Sequence, residues 1–313
     1  MQAMRVHEFG GPEVIVAEEI TRPLPASGRL LLRVKAAGVG PWDAWVRAGQ
    51  SALPQPLPLT PGSDVAGIVE QLGAGLAGSD LQIGDEVFGV TNKQFTGGYA
   101  EYAVAEAGML ARKPKRLSFI EAASVPVVAS TAWQMLFDHG QVTAGQCVLV
   151  HGAAGNVGAY AVQFAKQAGA RVFATAYARD IDYVSQLGAD RVIDVGSERF
   201  EAQCKDIDVV LDTIGGDIQQ RSFAVLKRGG ILVSSVSQPD LDKATQHRVR
   251  GIFFLVDVTS DCLTRIAELL EAGRILTNVG EVLPLESAVL AHEMMAGKKH
   301  KSGKIVLAVD GEQ

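Results

Sequence analysis

Along residues 30–37 the apolar positions alternate. Leu30, Leu32, Val34 and Ala36 fall on one side of an extended chain and Leu31, Arg33 and Lys35 on the other. A period of two predicts a half-buried strand. Further short apolar runs at residues 65–72, 86–90 and 99–104, divided by Gly and Pro, extend this to an all-β unit reaching about residue 115. Within it, Pro54, Pro56, Pro58 and Pro61 forbid helix and favour an extended surface segment.

From about residue 120 the period switches to alternating β and α. A buried-strand run at 147–151 leads through glycines into a helix whose apolar stripe is Val157, Tyr160, Ala161, Phe164, Ala165 and Ala168, stopped by Gly169. The unit repeats with a strand at 171–176, a helix at 181–187 ended by Gly188, and strands at 191–193 and 207–213. A helix at 218–226, a strand at 231–235 and a last strand at 252–258 complete the expected series. Strands alternating with helices specify a parallel, doubly wound sheet. The remainder predicts helix 260–270, strand 279–284, helix 286–295 and strand 304–309, a segment expected to pack back onto the first domain.

The 313 residues suit about two domains. With 47% hydrophobic and 20% charged residues the chain is globular rather than disordered or low-complexity. Its 29 basic and 35 acidic residues give a net charge of −6, and no basic run tracks a phosphate backbone, so nucleic acid is not an expected partner. Three widely spaced cysteines, Cys147, Cys204 and Cys262, form neither a disulfide framework nor a zinc finger, which suits a reducing compartment. No apolar run is long enough to cross a bilayer and the first residues carry charge without an apolar leader core, so a cytoplasmic protein is expected, with no membrane partner.

The motif that carries chemistry is HGAAGNVG at residues 151–158. Ala153, Gly155 and Gly158 occupy the three positions of G-x-G-x-x-G, with Ala in place of the first Gly. Because it follows a strand and opens a helix, Gly155 permits close approach to a pyrophosphate, Gly158 permits tight helix-to-strand packing, and the helix start offers free N–H groups to the anion. The expected dinucleotide contacts are therefore Ala153, Ala154, Gly155, Asn156, Val157 and Gly158. An NAD-type site places an acid about 20 residues further on. Here the second strand ends at Ala176 and Tyr177 with Arg179 following, so a repelling acid is missing and a cation is close, although Asp180 stands ready to neutralise it. These residues select NADP(H) over NAD(H).

Several segments together resemble successive signatures of the medium-chain dehydrogenase/reductase superfamily. They are AGVGPWDAWVRAG, PGSDVAGIVEQLGAG, IGDEVFG, GGYAEY, ASTAWQML, HGAAGNVG and SGKIVL, spread over nearly the whole chain. The flavour is similar to its zinc-free branch, the zeta-crystallin-like quinone oxidoreductases. The resemblance implies an α/β protein with a GroES-like β-barrel catalytic domain at residues 1–118 and 264–313. A Rossmann domain at 119–263, with its doubly wound parallel sheet, would lie between these parts, the active site in the cleft and a homodimer as the assembly. It also places Thr131 near the cofactor, where a helix-start hydroxyl would look the same. Ser234 joins it from the carboxyl edge of the sheet, where open α/β sheets bind ligands.

The zinc-containing branch takes its ligands from a Cys in the segment matching residues 37–43 and a His in the segment matching 61–64. This chain has no Cys in the first and Gly62, Ser63 and Asp64 in the second. No cysteine precedes Cys147, and the six histidines, His7, His139, His151, His247, His292 and His300, show no paired spacing. No metal is expected. Without a Lewis acid to ionise an alcohol, reduction of a conjugated acceptor is the easier chemistry. Relatives often carry Asn and Tyr where this chain has Gly40 and Trp45, leaving Gly40, Trp42 and Trp45 as an aromatic substrate wall. The function read from these features is an NADPH-dependent, zinc-independent reductase of quinones or other α,β-unsaturated carbonyls. Rival readings are a reductase of small aldehydes or ketones, or a non-catalytic NADPH sensor or RNA-binding protein. Three further expectations are structural: an i, i+4 ion pair between Asp43 and Arg47, a capping or packing role for His151, and Cys147 in the core.

Overall fold

The computed structural model describes residues 1–53 and 55–309, so the expectation for Pro54 lies outside the described residues. In chain order the first strands are β1 (Gln2–Val6), β2 (Ile15–Glu19), β3 (Arg29–Val39), β4 (Asp64–Leu72), β5 (Glu86–Val90), β6 (Tyr102–Glu106) and β7 (Leu110–Arg112). They are followed by β8 (Cys147–Val150), β9 (Arg171–Ala176), β10 (Arg191–Asp194), β11 (Ile207–Asp212), β12 (Leu226–Ser234) and β13 (Arg250–Phe253). The last two are β14 (Val279–Pro284) and β15 (Lys304–Ala308). The chain divides into two compact units, one of Met1–Val127 with Val258–Gln313 and one of Val128–Asp257.

In the first unit the sheet runs β14-β15-β3-β4-β5-β7, with β6 also on β3 and β1-β2 as a separate pair. The alternation read along β3 holds for Leu30, Leu32 and Val34, which pack with Val65, Val69, Val87 and Leu110 in one core. Leu31 departs from it and is fully buried. Bulges at Leu31/Leu32 and Val34/Ala36 reset the pleat, so the far end of β3 sends Ala37 and Val39 into a second core with Met4, Tyr99, Ile305 and Leu307. The strand expected at 99–104 begins only at Tyr102. Tyr99 instead lies before it, wholly buried, its N–H donating to Pro61 O at 2.9 Å and its carbonyl accepting from Met4 N at 2.9 Å.

The second unit is a six-stranded sheet in the order β10-β9-β8-β11-β12-β13, parallel throughout. This is the doubly wound order whose crossover point opens at the carboxyl ends of β8 and β11. Its stripe-bearing helix, Asn156–Gln167, buries Tyr160, Ala161, Phe164 and Ala165 as read from the sequence. The last strand is shorter than expected. β13 stops at Phe253 because its partner β12 ends opposite at Ser234, and the apolar run continues off the sheet with Leu255 67% exposed. Cys147, expected in the core, is half-buried at the first position of β8, whereas Cys204 and Cys262 are buried. Among the described residues no helix is long and apolar enough to cross a membrane.

Candidate active site

The dinucleotide turn sits at the carboxyl end of β8. Its left-handed residue is Gly152 (φ +67°), one place before the first motif position. Ala153 therefore costs nothing there: it is fully buried and its N–H donates to Thr175 O at 3.0 Å. Gly158 is required for packing, since a Cβ there would stand 2.2 Å from Gly152 O and 2.8 Å from Ala153 Cα. Gly155 is exposed, and the first intrahelical bond runs from Ala159 N to Gly155 O at 2.8 Å. The N–H groups of Asn156, Val157 and Gly158 thus precede the helix ladder, where an anion is favoured. This turn fits a pyrophosphate.

Beneath it, His151 is fully buried. Ser222 Oγ donates to Ile218 O at 2.7 Å, so His151 Nε2–H donates to Ser222 Oγ at 2.9 Å and Nδ1 accepts from Thr175 Oγ1 at 3.1 Å. Burial pushes its pKa down to about 4. His151 is a neutral brace of the turn, in the packing role expected. Thr213 Oγ1 donates to His151 O at 2.8 Å and ties the segment after β11 to the same turn. That segment is set by Asp212, fully buried, whose Oδ1 accepts from Ile214 N at 3.0 Å and Gly215 N at 2.8 Å. Its Oδ2 accepts from Gln219 Nε2 at 2.9 Å and Ser234 Oγ at 2.8 Å. Ser234, expected to touch the cofactor, is thus consumed in an internal network and fully buried. Thr131 is also buried, at the sixth position of the Pro126–Trp133 helix rather than at its start.

At the end of β9, Tyr177 is 60% exposed and the Arg179 guanidinium lies 5.5 Å from its ring centroid. Arg179 Nε is 3.5 Å from Asp180 Oδ2, so the neutralising partner foreseen in the sequence is engaged.

In the first unit the Pro41–Arg47 helix carries the proposed substrate wall. Trp42 Nε1–H donates to Ser63 Oγ at 3.0 Å, and its ring lies 4.3 Å from Lys304 Nζ and meets Phe95 edge-on. Its indole fills the side-chain space of residue 40, for a Gly40 Cβ would fall 2.3 Å from Trp42 Cζ2. Trp45 is 53% exposed and hence not core. Lys304 Nζ pairs with Asp64 Oδ2 at 2.9 Å, both buried, while Asp64 Oδ1 accepts from Val127 N at 3.0 Å. The expected Asp43–Arg47 pair does not form. Asp43 turns back to cap its own helix, accepting from Gly40 N at 2.9 Å and Tyr99 OH at 3.0 Å, while Arg47 reaches Gly10 O at 3.1 Å and His292 Nδ1 at 2.8 Å.

These donors do not fit a zinc ion. Residue 40 offers no ligand atom, Ser63 is bound to the indole, and Asp64 is committed to Lys304. Among the described residues no group of three or more His, Cys, Asp or Glu is placed to hold a metal.

The buried titrating groups give a pH prediction. Burial, reinforced at His292 by Arg47, holds His151 at about 4 and His292 at about 3 in the folded protein, while burial raises Asp43 to about 7. Between pH 6.5 and 4.5 the unfolded chain binds two protons that the folded imidazoles refuse, whereas folded Asp43 binds one that the unfolded carboxylate refuses. These three groups together therefore remove stability on acidification. In Asp43→Asn its compensating proton is gone, and the pH slope of stability should steepen by about one proton relative to wild type, read from urea midpoints across that range.

Sequence comparison matches residues 26–115 to an alcohol dehydrogenase GroES-like domain and residues 187–307 to a zinc-binding dehydrogenase domain. The chain is 34% identical to quinone oxidoreductase of Sus scrofa, covering 98% of this chain and 97% of that protein. It is 33% identical to a chloroplastic NADPH-dependent alkenal/one oxidoreductase of Arabidopsis thaliana, over 98% and 79%. Among solved structures, a mycobacterial protein complexed with NADPH superposes with a TM-score of 0.87 at 28% identity, over 99% of this chain and all of that one.

Proposed function

This chain belongs to the zeta-crystallin-like quinone oxidoreductase family of the medium-chain dehydrogenase/reductase superfamily and is an oxidoreductase, and from that premise we propose an NADPH-dependent reductase of quinones or α,β-unsaturated carbonyls that works without zinc. The observation that carries the zinc-free reading is the Trp42 indole lodged in the side-chain space of Gly40. The segment at residues 37–43, where the zinc-containing branch carries its Cys, holds none, and the indole offers a flat apolar face instead. A dinucleotide whose pyrophosphate is held at the 152–158 turn would supply a hydride from its nicotinamide, and a conjugated acceptor would spread the resulting negative charge over its carbonyl. The chain's own contribution is to hold the pyrophosphate on the helix N-terminus and to offer Trp42 and Trp45 to a planar ring, which gains more from stacking than a short alcohol does. The relatives named for quinone and alkenal reduction support this acceptor class.

The deciding experiment compares a quinone, an aryl enone, a small aldehyde and a primary alcohol, before and after chelation, with metal analysis of the purified protein. Turnover of the conjugated acceptors, unaffected by chelation, is expected. Dominant alcohol oxidation, or activity lost with a tightly held zinc, would overturn the reading. Arg179 supports the NADPH preference, and Arg179→Ala should weaken NADPH binding at least about tenfold through loss of a charge-assisted phosphate contact, with NADH nearly unchanged. Equal weakening of both would give Arg179 another role. The unpaired outer edge of β13 offers a strand-to-strand surface for a homodimer, testable by light scattering.

A further inference from the structure

The acid missing after β9 is supplied from the neighbouring strand. In the parallel register of the sheet, Asp194 at the end of β10 lies opposite Ala176 at the end of β9, and Val195 N donates to Ala176 O at 3.0 Å. The Asp194 carboxylate accepts from Gly196 N at 2.9 Å and from Ser197 Oγ at 2.7 Å. This register sets Asp194 beside the end of β9, where a Rossmann site selects its ribose. Hydrogen bonds from Ser197 and the Gly196 N–H hold it below the usual carboxylate range, so it is ionised throughout the neutral range. A carboxylate offers about four lone-pair positions, and Gly196 N and Ser197 Oγ occupy two of them.

The charge around this turn then differs from the sequence expectation. Arg179 contributes one positive charge, Asp180 already pairs with it, and Asp194 adds a second negative charge. Glu198 meets the Asp194 N–H through Oε1 at 3.4 Å and pairs with Arg191, adding no excess. Asp194 would repel a 2′-phosphate, which carries roughly −1.5 to −2, against the attraction of Arg179, whereas a 2′-hydroxyl would find an acceptor in it.

We infer that Asp194 is a specificity-determining residue for the dinucleotide, one that favours the ribose 2′-hydroxyl and opposes the 2′-phosphate against the pull of Arg179. This rests on the dinucleotide-binding reading above, but not on which cofactor the wild-type protein prefers. Asp194→Asn keeps an oxygen for the loop N–H groups while removing the charge, and Asp194→Ser keeps a short acceptor by a different side chain. Titration calorimetry with NADPH and NADH should show the ratio of their dissociation constants moving toward NADPH by roughly five- to tenfold in both variants, the size expected for relieving a like-charge juxtaposition at a partly hydrated site. Thermal melts identify any variant that does not fold, in which case the other decides. An unchanged ratio in a folded variant, or a shift toward NADH, overturns the inference. Arg179→Ala, titrated alongside, separates the two claims: an unchanged ratio there removes the role given to Arg179 and leaves that of Asp194 to its own variants. Binding of neither dinucleotide by the wild-type protein would remove both.

Discussion

Replacing Lys304 by Met is expected to destabilise the protein by about 3–5 kcal/mol, because it strands the Asp64 carboxylate, 0% exposed, without its counter-charge. The size comes from desolvation rather than from the lost attraction. A carboxylate that cannot reach water must take up a proton or draw the surrounding structure open, and either route costs more than an exposed ion pair is worth. Removing both charges should cost less. In Asp64→Asn/Lys304→Met the amide oxygen still accepts from Val127 N, and no ion is left in the interior. Urea denaturation of the two single variants and the double variant forms the cycle. Additive losses would show that Asp64 and Lys304 are not coupled as their 2.9 Å contact requires.

The second large effect belongs to Gly158. Replacement by Val puts a Cβ 2.2 Å from the Gly152 carbonyl, a backbone atom that cannot rotate away, so helix and turn must separate. A stability loss of about 1–3 kcal/mol is expected from the overpacking. The dinucleotide should suffer more, by roughly 100-fold in affinity, since a displacement near 1 Å misplaces every N–H group of the cradle at once. Gly155→Ala is the control. Only Gly152 O, at 3.2 Å, comes near its Cβ, so folding should survive and any loss should fall on cofactor binding. Similar affinities in wild type and Gly158→Val would place the anion elsewhere.

Features encoded within a few neighbouring residues were legible in the chain. The glycines of the turn, the stripe on the following helix and the β-α rhythm after residue 120 each reflect a local constraint of backbone sterics or one buried face. What the sequence concealed depends on partners brought together only by folding. Asp43 and Arg47 have helical spacing for a pair, yet Tyr99 and His292, distant in sequence, take their polar atoms instead. Asp64 and Lys304 are 240 positions apart, and nothing in either neighbourhood announces that they meet. The apolar run at 252–258 reads as one strand, but its length in the sheet is set by where β12 ends. An acid is expected along the strand that follows the turn, whereas sheet register delivers Asp194 from the strand beside it. Gly152 shows the same limit at shorter range: the motif marks where small residues are needed and not which of them takes the left-handed conformation.

The position of β15 between β14 and β3 sets the order in which a newly made chain can mature. The edge of β3 that receives β15, and the Asp64 side chain that receives Lys304, are already synthesised when the residues of the second unit begin to emerge from the ribosome. They wait for about 180 further residues, which at ~5–20 residues per second is on the order of 10–40 seconds. The second unit is continuous and can close during that interval. The first cannot, and for that time the β3 edge that β15 will cover stays open and the Asp64 carboxylate lacks its lysine.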